Sequence, residues 1–410
     1  MINNNNNIFQ YKLLKESLIL MEKSQIRLFE NDFIFHQEED FINIEYKERG
    51  YTVNDKLETI IDSKIQTIGF FSGAGGLDIG SQLAGAKVIS SLDFDRDSVA
   101  TMKANKYFSH STHFYKDIKE MYASDYTQII KDNNPEKLIL VGGPPCQPFS
   151  KAGYWVTHKN RLGSEDPRNM IGQYLRIVEE LKPDGFILEN VESLLHPKNA
   201  NAVSDLTEAI DKLGYKFIVY RANAQDFGVP QKRKRVFFIA SKKEIIGNPI
   251  KTHGDKIEII MNANLLPYEK VIDWIGKFDT EKYFEPEELT TGKTYDEELK
   301  QIPPGQNYFA LSERSGHPTP KFEANKRFWN FLLKLHPNKP SWTIAAQPGP
   351  WVGPFHWNNR RLRVPESAAI QTFPEDYHFI GTRRSIQKQI GNAVPSLLGK
   401  AIVKHLISNI

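Results

Sequence analysis

A run of four apolar residues, Leu138-Ile139-Leu140-Val141, is stopped by Gly142-Gly143 and then stiffened by Pro144-Pro145 before the chain reaches Cys146. A short apolar run bounded by turn residues suits a buried strand. The two pyrrolidine rings fix φ and remove two backbone donors, so the exit from that strand is rigid. A side chain just beyond a strand's C-terminal end lies where open α/β sheets bind their ligands. Cys146 is the only cysteine in 410 residues. A lone cysteine is ordinarily a small buried hydrophobe, but a core thiol needs neither the glycines nor the prolines ahead of it. Cys146 is therefore read as a nucleophile.

The surrounding chain alternates strand and helix signals. Residues 65–71, 87–92, 138–141, 185–188, 216–220 and 236–240 read as strands. Met170, Tyr174, Ile177, Val178 and Leu181 form one helical stripe, and residues 203–213 form another helix. This alternation predicts a doubly wound α/β sheet. After the first strand, Ser72-Gly73-Ala74-Gly75-Gly76-Leu77-Asp78 is a Gly-rich turn into a helix. Glycines there let the backbone approach a ligand, with helix N-terminal donors close by. The spacing is not the dinucleotide GxGxxG and lacks a phosphate-loop lysine, which favours a nucleoside ligand without pyrophosphate. Asp93, ending the second strand, is placed to accept hydrogen bonds from ribose hydroxyls. Asp95 or Asp97 caps the helix that follows. Asp117, after a third strand, is in position to reach the ligand's base. Glu189, at the end of the strand facing the cysteine strand, is a candidate acid or hydrogen-bond partner.

Length and composition leave room for a large core and two domains. No apolar run approaches the ~20 residues of a membrane span, and the N-terminus, with Asn3 to Asn7, lacks a signal-peptide layout, so a cytoplasmic protein is expected. One cysteine permits no internal disulfide and no Cys-rich metal site. The net charge of +3 is mild. Lys232-Arg233-Lys234-Arg235, the group Arg360, Arg361 and Arg363, and Arg383-Arg384 with Lys388 concentrate cations that would suit a phosphate backbone. Four segments are expected: an N-terminal extension (1–64) with a short helix at residues 11–21 and no assignable role, an α/β domain (65–240), an irregular aromatic-rich second domain (241–355), and a return to the first domain (356–410).

The motifs together closely resemble the DNA (cytosine-5)-methyltransferases of bacterial restriction-modification systems. Phe71-Ser72-Gly73-Ala74-Gly75-Gly76 is similar to the family's cofactor loop, and Gly142 to Gln147 to its catalytic loop. Glu189-Asn190-Val191 is similar to its cytosine-binding tripeptide, Gln231 to Arg235 to its Gln-x-Arg-x-Arg segment, and Gln389 to Pro395 to its closing motif. The resemblance implies an S-adenosylmethionine-dependent, Rossmann-like sheet with a smaller target-recognition domain at 241–355. It implies a double-stranded DNA substrate, a flipped-out cytosine, a monomer, and a cognate restriction endonuclease in the same system. It places catalysis on Cys146, Glu189, Arg233 and Arg235. It places the cofactor against Phe71, Gly73, Gly75, Gly76, Leu77, Asp93, Asp117, Ile118, Pro144 and Asn392, with no metal.

Carbon 5 of cytosine is a poor nucleophile, and a thiolate added at carbon 6 makes it enamine-like, which is the work a Cys146 thiolate suits. Glu189 would offset charge developing on the ring at nitrogen 3. Two departures stand out. Gly69 occupies a position where the cofactor strand often carries Asp, and Arg363 and Pro365 replace the usual Thr and Arg of a segment that organises the recognition domain. RNA-directed relatives need a second catalytic cysteine or a Cys-Phe-Thr signature, and a nucleotide-dependent oxidoreductase needs the dinucleotide fingerprint; none of these is present. A non-catalytic DNA-binding module has no use for Cys146, Glu189 and Arg235 together. Base reading is expected in 241–355, with Gln301, Gln306, Asn307, Arg314 and Gln347 as exposed candidates.

Overall fold

The computed structural model describes residues 47–51, 62–145 and 169–410. Cys146, the polar stretch behind it and residues 11–21 lie outside the described residues.

Each apolar run identified in the sequence forms a strand of one sheet. In chain order these are β1 (Ile65–Phe70), β2 (Lys87–Asp93), β3 (Thr112–Tyr115), β4 (Lys137–Gly142), β5 (Gly185–Val191), β6 (Lys216–Asn223) and β8 (Lys234–Ser241), with a two-residue strand β7 (Gln231–Lys232) outside it. The seven-stranded sheet runs β3-β2-β1-β4-β5-β8-β6. Its first five strands are parallel. β8 inserts antiparallel between β5 and β6, a reversal that apolar periodicity does not encode.

Both faces of the sheet are buried, as parallel strands require. Successive side chains point to opposite faces, so Leu138 and Leu140 join one core while Ile139 and Val141 join the other. The first core is filled from helices α3 (Ala123–Asn133) and α4 (Met170–Leu181) by Tyr126, Tyr174, Ile177 and Val178. The Tyr174 hydroxyl, buried, donates to the carbonyl of Ile187 at 2.9 Å. Helix α5 (Ala200–Lys212) adds Leu206 and Ile210. The second core is closed by the terminal helix Ser396–Ile407, whose Leu398, Ile402 and Leu406 stripe packs on the sheet with Leu77 of helix α1 (Gly76–Leu83). Gly80 of α1 meets Gly399 of the terminal helix backbone to backbone: a Cβ on Gly80 would lie 2.7 Å from Gly399 Cα. That close crossing is why the C-terminus returns to the α/β unit.

From Ser241 onward the alternation stops. Short helical turns and two-residue strands replace it, and a separate small core forms from Leu299, Ile302, Tyr308, Leu311, Leu332 and Phe355, ringed by Tyr295, Phe322, Phe331 and Trp351. The aromatics of this region are therefore largely structural. Gln301, Gln306, Arg314 and Gln347 are exposed as expected. Asn307 is not: it is buried, donating to the Trp329 carbonyl at 2.6 Å and accepting from Phe309 N at 3.1 Å.

The arginine group around residue 360 also departs from expectation. Arg360 grips Glu366 with both terminal nitrogens (2.6 and 2.8 Å) and Asp279 at 2.7 Å. Arg363 pairs with Glu288 and donates to the carbonyls of Phe278 and Thr280. Both arginines are buried. They join residues 278–288 to the C-terminal part of the chain and are not available to phosphate.

Candidate active site

The C-terminal edge of the sheet gathers the motif residues. β1 gives way to Phe71, whose φ of +53° is left-handed. An aromatic residue there carries roughly 1–3 kcal/mol of strain, of the kind that collects at functional sites. Gly73 and Gly75 continue with φ of +54° and +80°. A Cβ on Gly75 would press on Phe108 and Met102 at 3.1–3.2 Å, so only glycine lets the turn fold this tightly over α1. Asp93 at the end of β2 braces the turn: Oδ2 accepts from Gly73 N at 2.7 Å and Oδ1 from Asp95 N at 2.8 Å. Burial still pushes its carboxyl above the ordinary range. Asp95 caps helix α2 (Arg96–Ala104) through Ser98 N at 3.0 Å, so acid at the strand end and cap are separate residues, as read from the sequence.

The other candidates at this edge divide by side chain and backbone. Asp117 caps its own turn through Lys119 N at 3.0 Å and stays half-buried. The side chains of Ile118 and Leu77 are in the two cores, which leaves only their backbone for a ligand. Asn392 is exposed at the end of helix Arg383–Asn392. That helix is laid against α2 by Lys388 on Asp95 (2.7 Å) and Ser385 on Asp97 (2.5 Å).

At β4 the chain turns at Gly142-Gly143. A Cβ on Gly143 would lie 2.9 Å from Glu189 Oε2, so the glycine is what allows the Glu189 carboxylate to sit over the entrance to the cysteine loop. Arg235 Nε holds Glu189 Oε1 at 2.8 Å. The pair follows from register: Val191 faces Arg235 across the antiparallel β5–β8 ladder, which puts Glu189 on the same face as a diagonal neighbour. Burial pushes the Glu189 carboxyl up and outweighs the opposing pull of Arg235 and Arg233. Pro144 is fixed by its carbonyl accepting from Asn190 Nδ2 at 3.1 Å. Asn190 thus holds the residue two before Cys146, a role that local sequence pattern does not reveal.

Arg233 is placed apart from Arg235. It is 1% exposed, donating to the carbonyls of Ile344 at 3.3 Å and Gly391 at 2.8 Å. Gln231 does similar work on Gln371 (2.9 Å) and Ile344 N (3.1 Å). The Gln-x-Arg-x-Arg segment therefore turns its first two polar side chains inward as a knot between distant segments and brings only Arg235 to Glu189.

Residues 65–408 match the family described as C-5 cytosine-specific DNA methylase. The chain belongs to that family. It is a DNA (cytosine-5-)-methyltransferase. Among similar proteins, the Type II methyltransferase M.SacI of Streptomyces achromogenes is 34% identical over 381 residues, covering 85% of this chain and 94% of the relative. The Type II methyltransferase M1.HphI of Haemophilus parahaemolyticus is 30% identical over 343 residues, covering 83% and 86%. The fold is shared with the Entamoeba histolytica methyltransferase EhMeth (TM-score 0.56, 16% identity, 84% of this chain and 98% of that one). It is also shared with the S. pombe Dnmt2 methyltransferase (TM-score 0.52, 16% identity, 84% and 97%). Among the described residues no helix is long and apolar enough to cross a membrane.

Proposed function

We propose that this methyltransferase moves a methyl group from S-adenosylmethionine to carbon 5 of a flipped-out cytosine in double-stranded DNA through a covalent Cys146 adduct. The observation that carries the reading is the part-buried Glu189–Arg235 pair set over Gly143, where the chain turns toward the cysteine.

The cofactor residues fit a nucleoside: a glycine cradle with left-handed turns, and a strand-end acid, Asp93, beside it. When bound, S-adenosylmethionine supplies an electrophilic methyl group. Phe71 and Asp93 would hold adenine and ribose, with Asp117 at the adenine amine. The Cys146 thiolate adds to carbon 6 of the ring, placing electron density on carbon 5. Glu189, whose raised carboxyl favours a proton, shares that proton with ring nitrogen 3 and offsets the developing charge. Arg235 orients Glu189, and Arg233 positions the segment. Once carbon 5 is methylated, loss of its proton to a base restores the double bond and expels the thiolate.

Sequence reading is assigned to residues 241–355. The α/β unit must serve any cytosine, whereas base edges are read by side chains projecting from elsewhere. A cleft of about 760 Å³ lies beside this region, with Gln347, Arg361, Arg384 and Gln387 among its walls. Because its relatives are named Type II methyltransferases, the product is expected to protect DNA from a cognate endonuclease in the cytoplasm.

The direct test is DNA carrying 5-fluorocytosine at the target, which blocks proton loss and traps the adduct. Wild type should form a protein–DNA adduct; Cys146→Ala should form none and transfer no methyl groups. An adduct persisting in that variant would exclude the mechanism, since no other cysteine exists to take over. Exchanging residues 241–355 for those of a relative with another target should move methylation to the relative's site, read by bisulfite sequencing. An active chimera that keeps the original site would place recognition elsewhere.

A further inference from the structure

We propose that Asp78 binds the cofactor directly, its free carboxylate oxygen accepting the α-ammonium group of the amino-acid end, so that helix α1 supplies the acid that Gly69 withholds from strand β1. The inference rests on S-adenosylmethionine being the methyl donor.

Three observations meet at this residue. First, Gly69 has no room for a side chain, because a Cβ there would overlap Asp78 Oδ1 and the Ser72 hydroxyl. The Asp78 carboxylate has moved into the space that a residue on β1 would fill. Second, Asp78 is 1% exposed, and only one of its oxygens is engaged, by the Ser72 hydroxyl at 3.3 Å. Oδ2 has no partner among the described residues. A buried carboxylate oxygen without a donor is costly and calls for a ligand to complete it. Third, the sheet order sets what passes overhead. β1 lies between β2 and β4, so a ligand with its ribose at Asp93 and its reacting end toward the cysteine loop must cross the end of β1. Beyond its ribose, S-adenosylmethionine carries two cations, the sulfonium that bears the reacting methyl and the α-ammonium farther along the amino-acid branch. A sulfonium has no hydrogen to donate; an ammonium has three. The unmatched acceptor is therefore assigned to the ammonium.

Burial pushes the Asp78 carboxyl up to about 7, and Asp93 on β2 adds to the effect. Tyr377, whose hydroxyl donates to the Ala74 carbonyl at 2.6 Å, is the other titratable group facing it. In the free protein near pH 7 the carboxyl is thus partly protonated. A bound ammonium favours the carboxylate, so the proton leaves Asp78 for the buffer as the ion pair forms.

The test is titration calorimetry of the full chain with S-adenosylhomocysteine, which keeps the ammonium, and with 5′-methylthioadenosine, which lacks it. Measurement in buffers of different ionisation enthalpy counts the protons released. Wild type should release a measurable fraction of a proton at pH 7 with the first ligand and markedly less with the second. Asp78→Asn should abolish the difference and weaken S-adenosylhomocysteine at least tenfold, with 5′-methylthioadenosine unaffected. Equal proton release from the two ligands in wild type overturns the assignment without any variant. So does Asp78→Asn binding both ligands as wild type does. If wild type binds neither ligand, the cofactor reading itself fails along with this inference.

Discussion

Two regions of the molecule bury carboxylates, and they treat them in opposite ways. Around residues 279–366, Glu366, Asp279 and Glu288 are matched by Arg360 and Arg363. Asp279, His356 and Glu366 come close enough together to suggest a metal centre, yet the Arg360 guanidinium already binds both carboxylates. Burial and the two arginines hold His356 well below its usual range, and therefore neutral. At the strand ends, Asp78, Asp93 and Glu189 are pushed up by burial, as Glu366 is despite its arginine. Of the three strand-end acids, Glu189 alone has a cation in direct contact. Ion pairs complete in the protein alone fix one segment to another. Asp78, whose Oδ2 has no donor among the described residues, stores a cost that a ligand can relieve. The distinction separates scaffold from site more sharply than burial does.

The largest expected effect tests the paired side. Glu366→Ala leaves Arg360 buried with half its partners and should cost ~3–5 kcal/mol of stability in urea unfolding; a loss under ~1 kcal/mol would mean that this centre does not hold the chain together. Asp78→Asn should do the reverse. The Asp78 carboxyl ionises at about 7 in the folded chain against 3.8 as its ordinary value, so the folded state binds the proton more tightly. Its stabilising contribution is full below about 3.8 and lost as pH rises through about 7. At pH 8 the variant should therefore be the more stable protein, by roughly 2–4 kcal/mol, with the gap closing toward pH 4. Chemical denaturation at the two pH values checks this, and an advantage independent of pH would contradict it.

Asp93→Ala should weaken S-adenosylmethionine by ~1.5–3 kcal/mol, the worth of a charge-assisted hydrogen bond. Unchanged affinity by calorimetry would move the ribose contact off β2. Smallest is Lys388→Met. Its bond to Asp95 is short, 2.7 Å, but both side chains are partly exposed. Loss of under ~1 kcal/mol is expected, and a larger effect in thermal unfolding would make the helix Arg383–Asn392 a more important clamp than its geometry indicates.

The sequence by itself determined where most strands of the sheet lie and which family the chain resembles. Short apolar runs and turn residues placed β1, β2, β4 and β5, because a strand buried on both faces reads as a near-continuous apolar stretch whatever its partners are. Asp93 at a strand end, the glycine turn and Glu189 opposite the cysteine strand follow from the same local rules. Only the tertiary structure decided which charges are free. Arg363 finds Glu288 across 75 positions, and Arg233 finds Gly391 across 158. No local pattern distinguishes those arginines from Arg235, two residues on from Arg233. It also decided that β8 runs backwards and that Asn307 turns inward. Asp78 shows the reason most plainly: its neighbours Gly69 and Ser72 are close in sequence, but the missing partner of its second oxygen becomes visible only when the helix is folded back over the strand end.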